Sequence, residues 1–146
     1  MQLTRATPQD FGQILAAQDE FWGDRDLRDR HHPMYLHEFG DTALVLREDD
    51  GTVAGYLFGF VAPTRVGYVH LVGVRESRRR QGLGRRLYAE FSRLAAERGA
   101  ESLKAITTPS NALSIAFHTG LGMRAELVPG YGGPGEDRVI FLGELV

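Results

Sequence analysis

The 146-residue chain contains no cysteine. A disulfide framework, thiolate zinc sites, a cysteine nucleophile and iron–sulfur clusters are thereby excluded, and a reducing compartment is the natural expectation. Long apolar runs are missing too. The strongest, Tyr56 to Pro63, falls far short of the roughly 20 residues of a membrane span. The start, Met1-Gln2-Leu3-Thr4-Arg5, lacks the apolar stretch of a signal peptide. Nor does one charge dominate: 17 basic against 19 acidic side chains leave −2 with histidine neutral. A surface built wholly for nucleic acid or anionic membrane is not expected, although a local basic patch stays open. There is no internal repeat and no low-complexity tract. What is present is ordinary globular usage, 42% apolar and 25% charged, at a length that suits a single domain over residues 1–146. The expectation is a soluble cytoplasmic protein with no nucleic-acid and no membrane partner.

Patterning gives an alternating chain. Leu3–Ala6 reads as a short strand. Thr7 and Pro8 start a helix as cap and first helical residue, and Phe11, Ile14, Leu15 and Phe21 continue it at helical spacing to Trp22. Residues 23–30, GDRDLRDR, read as a loop or a ragged second helix. Ala43–Arg47, Val53–Val61 and Tyr68–Val74 form three antiparallel strands, the first two joined through the Asp50-Gly51 turn. Leu83, Leu87, Phe91 and Leu94 mark one face of a long helix that ends at Gly99. Leu103–Thr107 is a buried parallel strand, Asn111–Thr119 a short helix, and 124–128 with 137–145 a closing pair. The predicted fold class is α/β: a mixed central sheet with flanking helices in the order β-α-α-β-β-β-α-β-α-β-β.

The chemistry concentrates between Val72 and Leu87. Arg78, Arg79, Arg80, Arg85 and Arg86 crowd the start of the long helix. Cations at a helix N-terminus are unfavourable by some tenths of a kcal/mol each. Five of them make sense if an anion sits there, held by free N–H groups, the dipole and guanidinium groups together. Gly82 and Gly84 would let the backbone approach it. The alternative is a solvated basic turn. A Walker A string is absent. A Rossmann turn does not fit either: seven residues separate Val74 from Gly82, the third glycine position is Leu87, and no acid closes the next strand.

Arg79-Arg80-Gln81-Gly82-Leu83-Gly84, with the strand ending Val72-Gly73-Val74 before it and Asn111-Ala112-Leu113-Ser114-Ile115-Ala116-Phe117-His118-Thr119-Gly120-Leu121-Gly122-Met123 after it, resembles the GCN5-related N-acetyltransferase family. The resemblance covers most of the chain. It implies acetyl-CoA as cosubstrate, no metal, and a primary amine of a small molecule or peptide as acceptor. It also admits a homodimer. The backbone of Val72 and Val74 would meet the pantetheine arm. Arg79, Arg80, Gln81, Gly82, Leu83, Gly84 and Arg85 would hold the pyrophosphate. A strand bulge, for which Gly73 is the candidate, would open a wedge for the thioester. Asn111 resembles a residue that contacts the cofactor arm; it also reads as a helix cap.

His118 stands where the family commonly has a tyrosine that protonates the departing thiolate. It reads either as that acid or as a polar helix residue, with Phe117 beside it expected in the core. His70 is the candidate base. Strand alternation would put it on the face of Val72 and Val74, opposite Leu71 and Gly73; a hydrogen-bonded sheet histidine is the other reading. Glu20, Asp24, Asp26 and Glu38 fall in the segment that resembles the acceptor-binding region, and each also reads as a surface charge. His31, His32 and His37 lack metal-site spacing. Trp22, Tyr35 and Tyr131 are candidates for a pocket wall. The loop 130–135 should border the acceptor cleft, and Glu136 and Asp137 either attract an amine or solubilise a turn. Two functions compete: N-acetyl transfer by direct attack on the thioester, and a non-catalytic CoA-binding module. Nucleic-acid binding through the arginines is a weak third at this net charge.

Overall fold

In the computed structural model, which describes residues 1–145, the apolar runs become one sheet of seven strands: β1 (Gln2–Arg5), β2 (Leu44–Arg47), β3 (Val53–Val61), β4 (Val66–Val74), β5 (Ser102–Thr107), β6 (Arg124–Val128) and β7 (Arg138–Glu144). Their spatial order is β1-β2-β3-β4-β5-β7-β6. Among the described residues only β4 and β5 pair in parallel; the other neighbours are antiparallel. The helix α4 (Leu83–Glu97) connects the parallel pair, because parallel neighbours need a crossover. This is the mixed α/β architecture that the patterning predicts.

Thr7 opens α1 (Pro8–Ala16) with a reciprocal cap: its hydroxyl accepts from Asp10 N at 3.2 Å, and Asp10 Oδ2 accepts from Thr7 N at 2.8 Å. Asp10 is buried and also accepts from Arg47 Nε at 3.1 Å, which ties α1 to β2. Burial raises the Asp10 pKa, but the hydrogen bonds from Arg47 and Thr7 outweigh it and hold the carboxyl below its ordinary value. The single helix expected through Trp22 is broken at Ala17, and α2 (Gln18–Trp22) restarts without a side-chain cap. The break therefore has no local capping signal. Residues 23–30 form no second helix. They bend over the Gln18 side chain, which donates to Arg25 O and accepts from Leu27 N at 2.8 Å, and close in a 3₁₀ turn at Arg28–Arg30. A further short helix, α3 (Met34–His37), follows.

The two sheet faces carry different cores. On one face Leu83, Leu87, Phe91 and Leu94 of α4 are buried among Leu44, Leu57, Val69 and Leu103. Each such side chain contributes about 1.5–3 kcal/mol, so the four anchor α4 firmly despite an uncapped N-terminus. The other face packs Phe21, Tyr35, Tyr56, Phe58 and Leu71 under α1–α3.

Two irregularities of β4 position the site. The register with β3 steps from Phe58↔Leu71 to Gly59↔Val69, which leaves His70 as an extra, bulged residue. Opposite it, a Cβ on Gly59 would lie 2.4 Å from Tyr68 O, so only glycine fits there. The pairing with β5 ends at Val69↔Ala105, although β4 runs on to Val74 and β5 to Thr107. The parallel strands splay beyond the bulge. The bulge is thus at His70 and not at Gly73, where the missing side chain makes room for Tyr56 and Trp22.

Candidate active site

The splay opens a cleft of about 850 Å³ between β4, β5, the start of α4 and α5 (Ala112–Gly120). Its floor is backbone. Arg75 N bonds to Ala54 O in β3 at 2.8 Å. Strand alternation then turns the N–H and C=O groups of Val72 and Val74 away from β3, into the gap. Val74 O is reached there by Arg79 Nε at 3.3 Å.

At one end of the cleft lies the N-terminus of α4. Gly82 caps it in the left-handed conformation (φ 75°) and Arg80 precedes it with φ 64°. No side chain caps the helix and no acid lies in its first turn, so the amides that begin α4 have only solvent to satisfy them. Gly84 lies against α5: a Cβ there would be 2.7 Å from Phe117 Cε1. Such a set of bare amides beside a cation fits a phosphate-bearing ligand.

The five arginines do not act as one cluster. Arg78 pairs with Glu48. Arg79 turns back to Phe21 O at 2.9 Å, and Arg85 to Gly120 O at 3.0 Å. Among the described residues, Arg80 and Arg86 make no such contact and stay exposed. The expectation that all five need an anion is corrected: three have structural partners remote in sequence. Gln81 is exposed, whereas Leu83 is buried beneath the loop.

Asn111 caps α5, its Oδ1 accepting from Ser114 N at 3.2 Å while its amide donates to Thr107 Oγ1 at 2.9 Å. His118 departs from expectation. It is only 4% exposed, its ring stacks on Phe141 at 4.3 Å, and Nδ1 lies 2.8 Å from Ser114 O. A carbonyl only accepts, so Nδ1 carries the proton and Nε2 is the acceptor of the Tyr88 hydroxyl at 2.8 Å. Burial lowers its pKa, opposed by the Ser114 hydrogen bond. A neutral imidazole in this tautomer has no proton to deliver into the cleft. The reading of His118 as the leaving-group acid is therefore corrected to a buried link between α4 and α5. Phe117, expected in the core, is the half-buried cleft residue.

His70 lines the cleft, but the bulge puts it on the face of Leu71, not that of Val72 and Val74. Its ring stacks on Tyr35 at 4.8 Å. Its pKa is lowered by burial first and also by the charges of Arg30 and His31, against a backbone hydrogen bond at Arg30 that raises it. It is neutral at pH 7 and able to accept a proton. Tyr68 stands beside it in the cleft, its phenol pushed up to about 12, chiefly by burial.

The acidic acceptor candidates do not converge. Glu20 pairs with Arg75 and Asp26 with Arg28. Glu38 lines a separate hollow beside Asp41 and Arg98. Asp137 holds Gly130 N at 2.8 Å, and Glu136 faces Arg138 at 3.4 Å. None of residues 130–135 lines the cleft; Arg138, just after them, does. Trp22 is a wall residue, Tyr35 is core and Tyr131 is half exposed.

Sequence reasoning missed a second buried histidine network. Trp22 Nε1 donates to Tyr56 Oη at 2.7 Å, Tyr56 donates to His31 Nε2 at 2.7 Å, and His31 Nδ1 donates to Leu27 O at 2.6 Å. Tyr56, wholly buried in an apolar strand, was the available signal, since a buried phenol needs a partner. Among the described residues no group of three or more His, Asp or Glu is placed to hold a metal, and no helix is long and apolar enough to cross a membrane.

Residues 9–123 match the acetyltransferase (GNAT) family. Solved structures with the same fold include Ard1 from Thermoplasma volcanium, with 19% identity, TM-score 0.82, and coverage of 99% of this chain and 97% of that one. Diaminobutyrate acetyltransferase EctA from Paenibacillus lautus, in complex with L-2,4-diaminobutyric acid and coenzyme A, gives 22%, 0.75, 99% and 94%. The ribosomal-protein-alanine N-acetyltransferase from Brucella melitensis gives 26%, 0.72, 99% and 100%. No curated protein sequence matches the chain.

Proposed function

Because the chain belongs to the acetyltransferase (GNAT) family, we propose that it transfers an acetyl group from acetyl-CoA to a primary amine by direct attack on the thioester. The observation that carries this is the splay of β4 from β5 after Val69, which leaves β4 without a strand partner along a cleft that ends at the bare N-terminus of α4. Bound acetyl-CoA supplies an acyl group activated as a thioester. The backbone of Val72 and Val74 holds the pantetheine arm as an added strand would be held. The amides from Gly82 to Arg85, with Arg80, hold the pyrophosphate. Gln81 frames the turn, and Asn111 borders the arm from α5.

The amine nitrogen bonds to the acyl carbon, the C–S bond breaks, and its electron pair leaves on sulfur. The nitrogen sheds a proton, and neutral His70 takes it. A thiol with a pKa of about 8.5 leaves near pH 7 with little help, so solvent can protonate it without His118. The coenzyme A bound to the Paenibacillus lautus neighbour supports the donor assignment.

The test is thiol release from acetyl-CoA with a panel of primary amines, followed by product mass. Amine-dependent thiol release with a product heavier by one acetyl group is expected. CoA-induced stabilisation without turnover of any amine would instead favour the non-catalytic CoA-binding module.

A further inference from the structure

We infer that the acceptor is a primary amine that also carries a carboxylate, gripped by Arg30 and Arg138 across the mouth of the cleft. The inference rests on the acetyl-transfer reading and names its substrate class.

The segment 23–30 alternates in sign, and the fold sorts it. Its cations Arg25 and Arg30 line the cleft, while Asp24, Asp26 and Asp29 do not. Asp26 is taken by Arg28, outside the cleft. Arg30 lies on the β4 side, close enough for its charge to act on both Tyr68 and His70. It is exposed, and among the described residues no carboxylate pairs with it. Arg138 begins β7, on the far side of β5, so the two arginines line the cleft from different elements, Arg30 from the turn beside β4 and Arg138 from β7. The Arg138 side chain is only 21% exposed. Its one carboxylate contact is Glu136 at 3.4 Å, itself 60% exposed. Both terminal nitrogens reach that carboxylate at 3.4 Å and one also donates to Asp137 O at 2.8 Å, so among the described residues the only anion near this mostly buried guanidinium is held at long range and stays open to solvent.

Among the described residues the sole acid lining the cleft is Glu76, which lies with the arginines that lead into α4. The acceptor half therefore presents positive charge and no acid to a substrate whose amine must itself arrive without its proton. A diamine would bring a second cation into this field. A carboxylate would instead complete paired, charge-assisted hydrogen bonds with the guanidinium forks and set the amine beside His70.

The experiment compares matched acceptors: glycine with glycinamide, 4-aminobutyrate with 4-aminobutyramide, Glu-Ala-amide with Gln-Ala-amide, and putrescine as the diamine. The pairs separate an α-carboxylate, a distal carboxylate and an acidic peptide side chain. At least one carboxylate member should exceed its amide by roughly 10- to 100-fold in kcat/KM, the worth of one or two charge-assisted hydrogen bonds. Arg30→Gln, at an exposed site, should erase most of that preference and leave the KM for acetyl-CoA unchanged. Arg30→Glu should turn the preference toward putrescine. Equal rates within every pair, or putrescine as the best substrate of the wild type, overturns the inference while acetyl transfer stands. Without turnover, the Tm of the CoA-bound protein with N-acetylglycine against N-acetylglycinamide, and likewise for the other acetylated pairs, reads the same discrimination. Equal shifts in all pairs overturn it. Loss of both thiol release and CoA stabilisation overturns the acetyl-transfer reading itself.

Discussion

The Tyr88 hydroxyl donates a hydrogen bond to His118 Nε2 at 2.8 Å, and this bond fastens α5 to α4 beneath the cleft. Both residues are almost wholly buried.

His118→Ala should cost about 3 kcal/mol of stability, because it opens a cavity and strands the Tyr88 hydroxyl. Turnover per folded molecule should stay within about threefold of wild type. The same histidine makes the fold acid-sensitive. Its native pKa lies below the ordinary 6.5, so its contribution is complete above 6.5 and is lost as pH falls through the lowered value. His31, lowered by burial against the Leu27 hydrogen bond, adds to the same slope. Urea unfolding at pH 7.5 and pH 5 measures this, and His118→Phe should flatten the difference. A 10- to 100-fold loss of kcat in His118→Ala, with folding and CoA binding intact, would return the acid role to this residue.

The loop before α4 separates two kinds of arginine. CoA should raise the Tm of the wild type by mass action. Arg80→Ala should weaken CoA binding roughly tenfold, the worth of about one charge-assisted contact, and leave the unliganded Tm unchanged. Arg79→Ala should do the reverse, since its guanidinium holds Phe21 O and Val74 O. Gly82→Glu should abolish the CoA-induced shift by forcing a side chain into a left-handed position and adding an anion at the helix start. Calorimetric titration with CoA reads all three. Equal affinities for Arg80→Ala and wild type would sink the assigned loop.

His70→Ala should lower kcat/KM about 10²-fold, the low end for a positioned base, with the KM for acetyl-CoA unchanged. Only the neutral imidazole accepts a proton. Its pKa is lowered, first by burial, so the acid limb of the wild-type kcat profile should lie below pH 6.5 and disappear in the variant. A variant that loses stability yet keeps both its rate and its limb would make His70 a packing residue.

The sequence by itself determined what short-range physics controls. The Thr7 and Asn111 caps, the Asp50-Gly51 turn, the buried stripe of α4 and the strand order β4-α4-β5 all follow from residues within a few positions of one another. The string from Arg79 to Gly84 marked the end of the cleft for the same reason, since left-handed positions and a bare helix start are local properties. Tertiary structure decided the rest. One extra residue at His70 reversed the side on which that ring lies, because strand faces alternate with a period of two and a single insertion moves every earlier side chain to the other face. Arg78, Arg79 and Arg85 lost their freedom to Glu48, Phe21 and Gly120, partners between 30 and 58 positions away. His118 became a structural group because Tyr88 and Phe141 close over it. A side chain's charge and type are written in the sequence, but its partner, its burial and therefore its proton are set by which distant elements pack against it.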